Sequence, residues 1–344
     1  MKKKSFILLV VAAMASCTQS DILLRSDEQV EIRLRSSALS VEGVTRAPFD
    51  GQISSSNKLK ARVAATSTSG TYTTSSLYVD GTMTFSDVNA ETQFDEGVSG
   101  KKYYPADGSD LYLFGLYPAT GWTLTTQGDI NFTGKEDVMV AKAVQWNKAK
   151  AQAASDNLPK LEFKHLLTKL NIKLQAEDED AIAAWGQISK IELLSVKNSD
   201  PYSKVGVNIT AGTAEANVFS VGQSPFKCFS LTEVGNAKTY TENEYANQTY
   251  TLTTTATYQA YSLIAPVELT ATTGDLKFKV YAAGAKDGAQ EVVVELKTAE
   301  GADFTGYTQG KAFDINLKFK ATTIVGAASV TDWTQAGSSD TEIQ

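Results

Sequence analysis

In 344 residues the chain has one histidine, His165, and two cysteines, Cys17 and Cys228. That scarcity excludes by count a zinc site built on imidazole and thiolate ligands. It also leaves a histidine-based triad with a single possible base, and no Gly-x-Ser-x-Gly elbow accompanies it. Phosphate-binding loops and the dinucleotide fingerprint are missing. Basic charge is short: 32 Lys and Arg stand against 39 Asp and Glu, a formal net charge of −7. This is the wrong sign for nucleic acid or an anionic membrane surface. Long helical periodicities are few, and nothing marks a carboxylate pair for glycoside chemistry. These absences point away from enzymes and nucleic-acid binders, and no metal or cofactor is expected.

The chain opens with a cationic run, Lys2 to Lys4, an apolar run from Phe6 to Ala13, and then Met14-Ala15-Ser16-Cys17. This is the pattern of a secretory signal, with an apolar core too short to span a bilayer. Small residues just before a cysteine form a lipobox, with Met14 where Leu is usual. Cleavage before Cys17 would leave its thiol carrying a diacylglycerol, and two or three acyl chains anchor stably where one does not. An ordinary signal cut near Ala15 is the alternative. With Cys17 lipidated, Cys228 has no disulfide partner and reads as a small buried hydrophobe in the apolar stretch Pro225–Phe229.

Next, Val30, Ile32 and Leu34 alternate with Glu31, Arg33 and Arg35, a strand with one apolar face. A polar stretch follows and ends at Thr45-Arg46-Ala47-Pro48, a basic site ahead of a turn. Two readings are open. The strand is a permanent first strand followed by a loop, or it is temporary and removed by a cut between Arg46 and Ala47.

The body is rich in Thr, Ser, Ala, Gly, Tyr and Val, and it breaks into short alternating runs. Residues 59–69 read as an edge-like strand. Leu77–Phe85 reads as a hairpin turning at Asp80-Gly81. Leu111–Tyr117 is apolar on both faces, which predicts a strand covered on both sides. Asp107 and Asp110 lie in a Pro/Asp/Gly turn and lack the spacing of a complete calcium loop. The Ala/Ser/Asn-rich stretch from Ala149 to Pro159 reads as a linker, and Ala181–Trp185 as a turn or two of helix. Strands then recur to Phe313–Phe319. Many short strands broken by Gly, Asp and Thr predict an all-β protein built of sandwiches. His165 reads as a partly buried strand residue with a satisfied ring. Tyr78, Tyr103, Tyr104, Trp122 and Trp146 read either as a sugar-stacking face or as cross-strand packing.

One ordered set of motifs resembles a known family. It comprises the lipobox, Thr45-Arg46-Ala47-Pro48, Tyr103-Tyr104-Pro105-Ala106-Asp107-Gly108, the strand ending Tyr117-Pro118, Phe163-Lys164-His165-Leu166-Leu167-Thr168-Lys169-Leu170, and Ser329-Val330-Thr331-Asp332-Trp333. Together these resemble the fimbrillin-like lipoproteins of Bacteroidales, subunits of type V pili. The resemblance implies two tandem transthyretin-like β-sandwich domains. It divides the chain into a signal peptide (1–16), a lipidated propeptide with a removable strand (17–46), an N-terminal domain (47–158) and a C-terminal domain (159–344). It also implies lipid on Cys17 at the outer membrane and cleavage at Arg46 by an arginine-specific protease. The face Val30, Ile32 and Leu34 would depart, and a strand from another subunit would fill the opened groove. The segment after Phe319 is the candidate donor, with Ile324 and Val330 offered to vacated pockets; the alternative is that these residues complete their own domain in a tip or anchor protein. The implied function is a structural subunit of a surface fimbria. The alternative is a surface lipoprotein or pilus-tip adhesin that binds a glycan or host ligand.

Overall fold

The computed structural model describes residues 29–38, 49, 53–95, 100–153, 158–215, 225–234, 237–244, 250–270 and 275–333. The protein is all-β, and among the described residues it has two short α-helices, Lys148–Ala153 and Glu179–Trp185. The second lies where the sequence predicts a turn or two of helix. Asp178 caps it by accepting the Ala181 N–H at 2.8 Å, the usual solution for an orphan donor of the first turn.

The first half is organised by a seven-stranded sheet. Its order is Leu77–Phe85, Leu59–Thr66, Leu111–Tyr117, Met139–Trp146, Lys160–His165, Arg33–Ala38 and Thr92–Gln93. The sheet closes on itself. Met83 on its first strand bridges Phe94 just past its last strand, and the Asp95 N–H donates to the Thr82 carbonyl at 2.8 Å. Inside the ring lies a core of Ile32, Leu34, Leu59, Val63, Met83, Phe85, Phe94, Tyr104, Leu111, Leu113, Leu161 and Phe163. Gly115 makes room for Phe163, since a methyl group there would stand 2.5 Å from the phenyl ring. Leu111–Tyr117 is covered on both faces, as its composition predicts. Leu111 and Leu113 enter this core, while Phe114 and Leu116 join the larger one.

That larger core takes in a four-stranded sheet ordered Thr213–Glu215, Lys204–Asn208, Gly128–Asn131 and Trp122–Leu124. It also fills a sandwich of two further sheets. One has six strands, ordered Ala237–Glu244, Phe229–Val234, Thr257–Ile264, Thr168–Ala176, Lys311–Phe319 and Ile324–Asp332. The other runs Phe226–Lys227, Gln187–Val196, Leu276–Ala282 and Ala289–Val294, with Tyr250–Thr251 beside Gln187–Val196. Leu170, Ile172, Phe313 and Ile315 from the first share a core with Ile191, Leu193, Phe278 and Val280 from the second. Two sets of pairings cross residue 158. Lys160–His165 belongs to the seven-stranded sheet, and Lys204–Asn208 pairs with Gly128–Asn131. The stretch read as a linker begins as the helix Lys148–Ala153, and the chain beyond it returns to the sheet it left.

Two local expectations are corrected. Leu77–Phe85 is one continuous strand, with Asp80 and Gly81 opposite Ala64 and Val63. Arg62 grips Asp80 with two N–H donors at 2.8 Å each, and this long ladder overrides the local turn preference of Asp-Gly. Leu59–Thr66 is internal to its sheet, paired with Leu77–Phe85 on one side and Leu111–Tyr117 on the other.

Candidate functional site

Residues 29–38 form a stave set into the ring from the segment ahead of residue 46. The strand Arg33–Ala38 runs parallel to Lys160–His165, with Arg35 opposite Lys160 and Ala38 opposite Phe163. On its other side Arg33 and Leu34 pair antiparallel with Gln93 and Thr92. Ahead of it the Ile32 N–H donates to the Lys102 carbonyl at 2.8 Å, and the Tyr104 N–H donates to the Val30 carbonyl at 2.9 Å. Alternation then does its work. Ile32 and Leu34 are fully buried, Val30 is half-buried against the same core, and Arg33 points out. Outside, Arg33 binds Glu91 at 2.6 Å and Glu31 at 3.3 Å, and Lys101 approaches Glu31 at 3.6 Å. The hydrogen bond that Arg33 donates to Glu91 raises the Arg33 pKa above its ordinary value. Ser36 is buried, and its hydroxyl finds no partner among the described residues. The apolar face is the part of this segment that the core holds most firmly. Without the segment, Lys160–His165 and the backbone of residues 92–93 and 102–104 would be left with unpaired edges.

A second constellation lies where residue 49 meets the end of the C-terminal strand. Asp137 Oδ2 accepts the Phe49 N–H at 3.2 Å and lies 2.8 Å from His165 Nδ1. The Phe49 ring sits edge-on to Tyr117. The imidazole of His165 stacks on Trp333, and Lys169 Nζ stands 4.7 Å from the centroid of that indole. His165 and Asp137 are 5% and 1% exposed, so the imidazole is closed to a substrate. This is a packed, satisfied ring, as the sequence suggests. The residue that sequence reasoning missed is its partner, Asp137. Nothing local marks that aspartate, and the pairing exists because Met139 stands opposite His165 in the ladder.

The C-terminal strand Ile324–Asp332 is antiparallel to Lys311–Phe319 in unbroken register, with Ile324 opposite Phe319 and Val330 opposite Phe313. It is the edge of the six-stranded sheet. Ile324 is buried, Val330 is half-buried against the large core, and the Val330 N–H donates to the Lys297 carbonyl at 3.0 Å. Gly326 lies against Val292 and Val294 of the facing sheet. Cys17, Arg46 and Ala47 lie outside the described residues. Cys228 is buried, and burial pushes its thiol pKa far up, with Glu192 adding to the effect, which suits a packing role. Asp107 accepts the Ser109 N–H within a tight turn, and Asp110 accepts the side-chain amides of Gln145 and Asn147.

Comparison with known proteins adds the context. The model of a family described as fimbrillin-like matches residues 45–333. No match was found among curated proteins. Among solved structures, a candidate cell adhesion protein from Bacteroides uniformis is 16% identical with a TM-score of 0.53, over 89% of this chain and 99% of that one. Another, from Bacteroides ovatus, is 14% identical with a TM-score of 0.50, over 90% of this chain and all of that one. At these identities the likeness is one of fold. The matched family region begins at residue 45, so the strand that completes the ring lies ahead of it.

Proposed function

The chain belongs to the fimbrillin-like family, and from that premise we propose that it is a pilus subunit matured by losing its first strand. Membership makes it a non-enzymatic subunit of a cell-surface fimbria that associates with other subunits. The finer reading is that the chain is exported as a lipoprotein on Cys17, cut between Arg46 and Ala47 by an arginine-specific protease, and polymerised by strand exchange.

The observation that carries this reading is the seat of Ile32 and Leu34. Both are fully buried in a core whose other walls come from the body of the chain. Each is worth about 1.5–3 kcal/mol of burial. A removable segment that fills a core leaves behind a groove with apolar pockets and unpaired strand edges on both sides, and a second chain can satisfy both. The proposed donor is Ile324–Asp332, which has one hydrogen-bonded strand neighbour and so can leave without parting the interior of its own sheet.

The test is the N-terminal residue of the protein recovered from assembled surface fibres. Ala47 is expected. Fibres whose subunits retain residues 29–38 would overturn the removal of the strand. The lipid has its own test: palmitate labelling of the precursor should vanish in Cys17→Ala, and undiminished labelling would overturn the anchor alone.

A further inference from the structure

Asp137 is 1% exposed, and its two carboxylate oxygens are used unequally. Oδ2 accepts the Phe49 N–H at 3.2 Å and faces His165 Nδ1 at 2.8 Å. Oδ1 is buried and has no hydrogen-bond partner among the described residues. Native structures rarely leave such an oxygen empty, because only a donor, best a charged one, offsets its desolvation.

Among the described residues the one basic partner of Asp137 is the imidazole of His165. The other charges nearby are engaged. Glu136 accepts the Thr133 N–H and hydroxyl on Oε2, and Lys135 Nζ approaches its Oε1 at 3.8 Å. Lys169 Nζ stands over the Trp333 ring that stacks on the imidazole. Beside Asp137 a hollow of about 210 Å³ opens, walled by Tyr117, Ile130, Phe132 and Glu136 among others. The Phe49 ring packs edge-on to Tyr117. Phe49 thus touches two residues of this hollow, with its ring and with its N–H.

We propose that Asp137 is the seat of a chain terminus, the α-ammonium group of Ala47 that a cut after Arg46 creates. This rests on the cut proposed above and adds to it: cutting frees one segment and anchors the next. The occupant does not have to enter from solvent. Ala47 is two residues from Phe49, and two residues span at most about 7 Å. With the Phe49 N–H on Oδ2, the nitrogen of Ala47 has Oδ1 within reach. Pro48, between them, carries no N–H that needs a partner. In the uncut chain the Ala47 nitrogen is a neutral amide with one N–H. Hydrolysis adds one water across the Arg46–Ala47 bond. The hydroxyl goes to the carbonyl carbon of Arg46 and the hydrogen to the nitrogen of Ala47. Protonation of that amine then gives an ammonium with three donors, one of which completes the carboxylate. The new end of the body is thereby fixed as the first strand departs.

The test cuts the full chain with an arginine-specific protease and confirms Ala47 as the new end by sequencing. Acetylation of the α-amine by a succinimidyl ester is then followed by mass spectrometry, folded and in urea. The pH range is about 6–10, which brackets the ordinary α-amino value of about 8. In the folded protein the amine should react about tenfold more slowly at neutral pH. Its midpoint should lie above that in urea, since an opposite charge favours the ammonium. Burial without the ion pair would also slow the reaction but would move the midpoint down. Asp137→Asn keeps the size and should bring the midpoint to its value in urea or below. Glu136→Gln, at the neighbouring carboxylate, should leave it raised. A wild-type midpoint at or below the urea value overturns the proposal, whether or not Asp137→Asn folds, and leaves the maturation cut standing. A midpoint still raised in Asp137→Asn, or lost in Glu136→Gln, overturns it too. A folded chain that is not cut after Arg46 overturns both readings.

Discussion

His165 and Trp333 stack face to face, their ring centroids 3.9 Å apart and their planes 14° from parallel. The pair joins the end of the strand Lys160–His165 to the end of the C-terminal strand, and Asp137 ties the same imidazole to Phe49. Both ends of the body thus meet at one buried point. Trp333 is 4% exposed, and its backbone N–H donates to the Gly310 carbonyl at 3.3 Å. Trp333→Ala should therefore cost about 3–5 kcal/mol, the usual range for emptying a large aromatic site. Thermal melting of the precursor measures this, and the C-terminal strand should also become an early site of limited proteolysis. A variant that melts with the wild type would show that the indole does not hold the strand end.

Ile32 is the central apolar residue of the first strand. Ile32→Asp places a carboxylate where no donor waits, at a cost of several kcal/mol unless the strand detaches. The precursor should melt earlier, and residues 29–38 should become accessible to protease. After cleavage between Arg46 and Ala47 the variant and the wild type are the same molecule and must melt together, which makes the cut form an internal control. An unchanged precursor melting temperature would place the strand elsewhere.

Much of this was legible in the sequence, and the failures share one cause. The inward face of Ile32 and Leu34, the two-sided burial of Leu111–Tyr117 and the helix before Gly186 follow from periodicity and capping, which are local. Asp80-Gly81 misled because its turn preference is local too. The partner strand and the Arg62 ion pair that overrule it lie 14 or more residues away in sequence. Asp137 was invisible as the partner of His165 for the same reason, as was the return of Lys160–His165 to the first sheet. Pairing across a sheet is decided by burial and register over the whole molecule. The parallel seating of Arg33–Ala38 beside Lys160–His165 joins segments more than 120 residues apart.

Acid should loosen the second half through Asp314. Burial pushes its pKa up, but hydrogen bonds from Tyr258 and Asn171 and the charges of Lys238 and Lys173 outweigh burial and hold it below the ordinary value. A carboxylate whose folded pKa is depressed stabilises the fold above its unfolded pKa, about 3.9. That contribution is lost as pH falls through the folded value. Asp275 runs the other way, its pKa raised chiefly by burial, so total stability mixes the two. The difference between wild type and Asp314→Asn isolates the first. Urea midpoints should differ most near neutrality and draw together as pH falls through the depressed folded pKa of Asp314. A pH-independent gap would remove Asp314 from the acid response.

The C-terminal strand offers the sharpest division between a donor and a permanent part of its own sandwich. Ile324, Ala328 and Trp333 are buried, and Gly326 lets the strand close on Val292 and Val294, where a methyl group would overlap Val294. Gly326→Ala should therefore loosen the docking of this strand without touching the groove that the first strand occupies. If Ile324–Asp332 is the donor, looser docking raises the fraction of molecules whose strand is free. Polymerisation after cleavage at Arg46 should then start sooner, with fibres of ordinary length. If the strand is permanent, the same substitution lowers the melting temperature and leaves assembly unchanged or slower. Deleting Thr323 to Gln344 completes the comparison. Loss of a donor leaves a folded body that cannot extend a polymer, whereas loss of a structural strand strips Phe313, Ile315 and Phe319 of their cover. The body should then fail to fold, and the donor assignment to Ile324 and Val330 would fall with it.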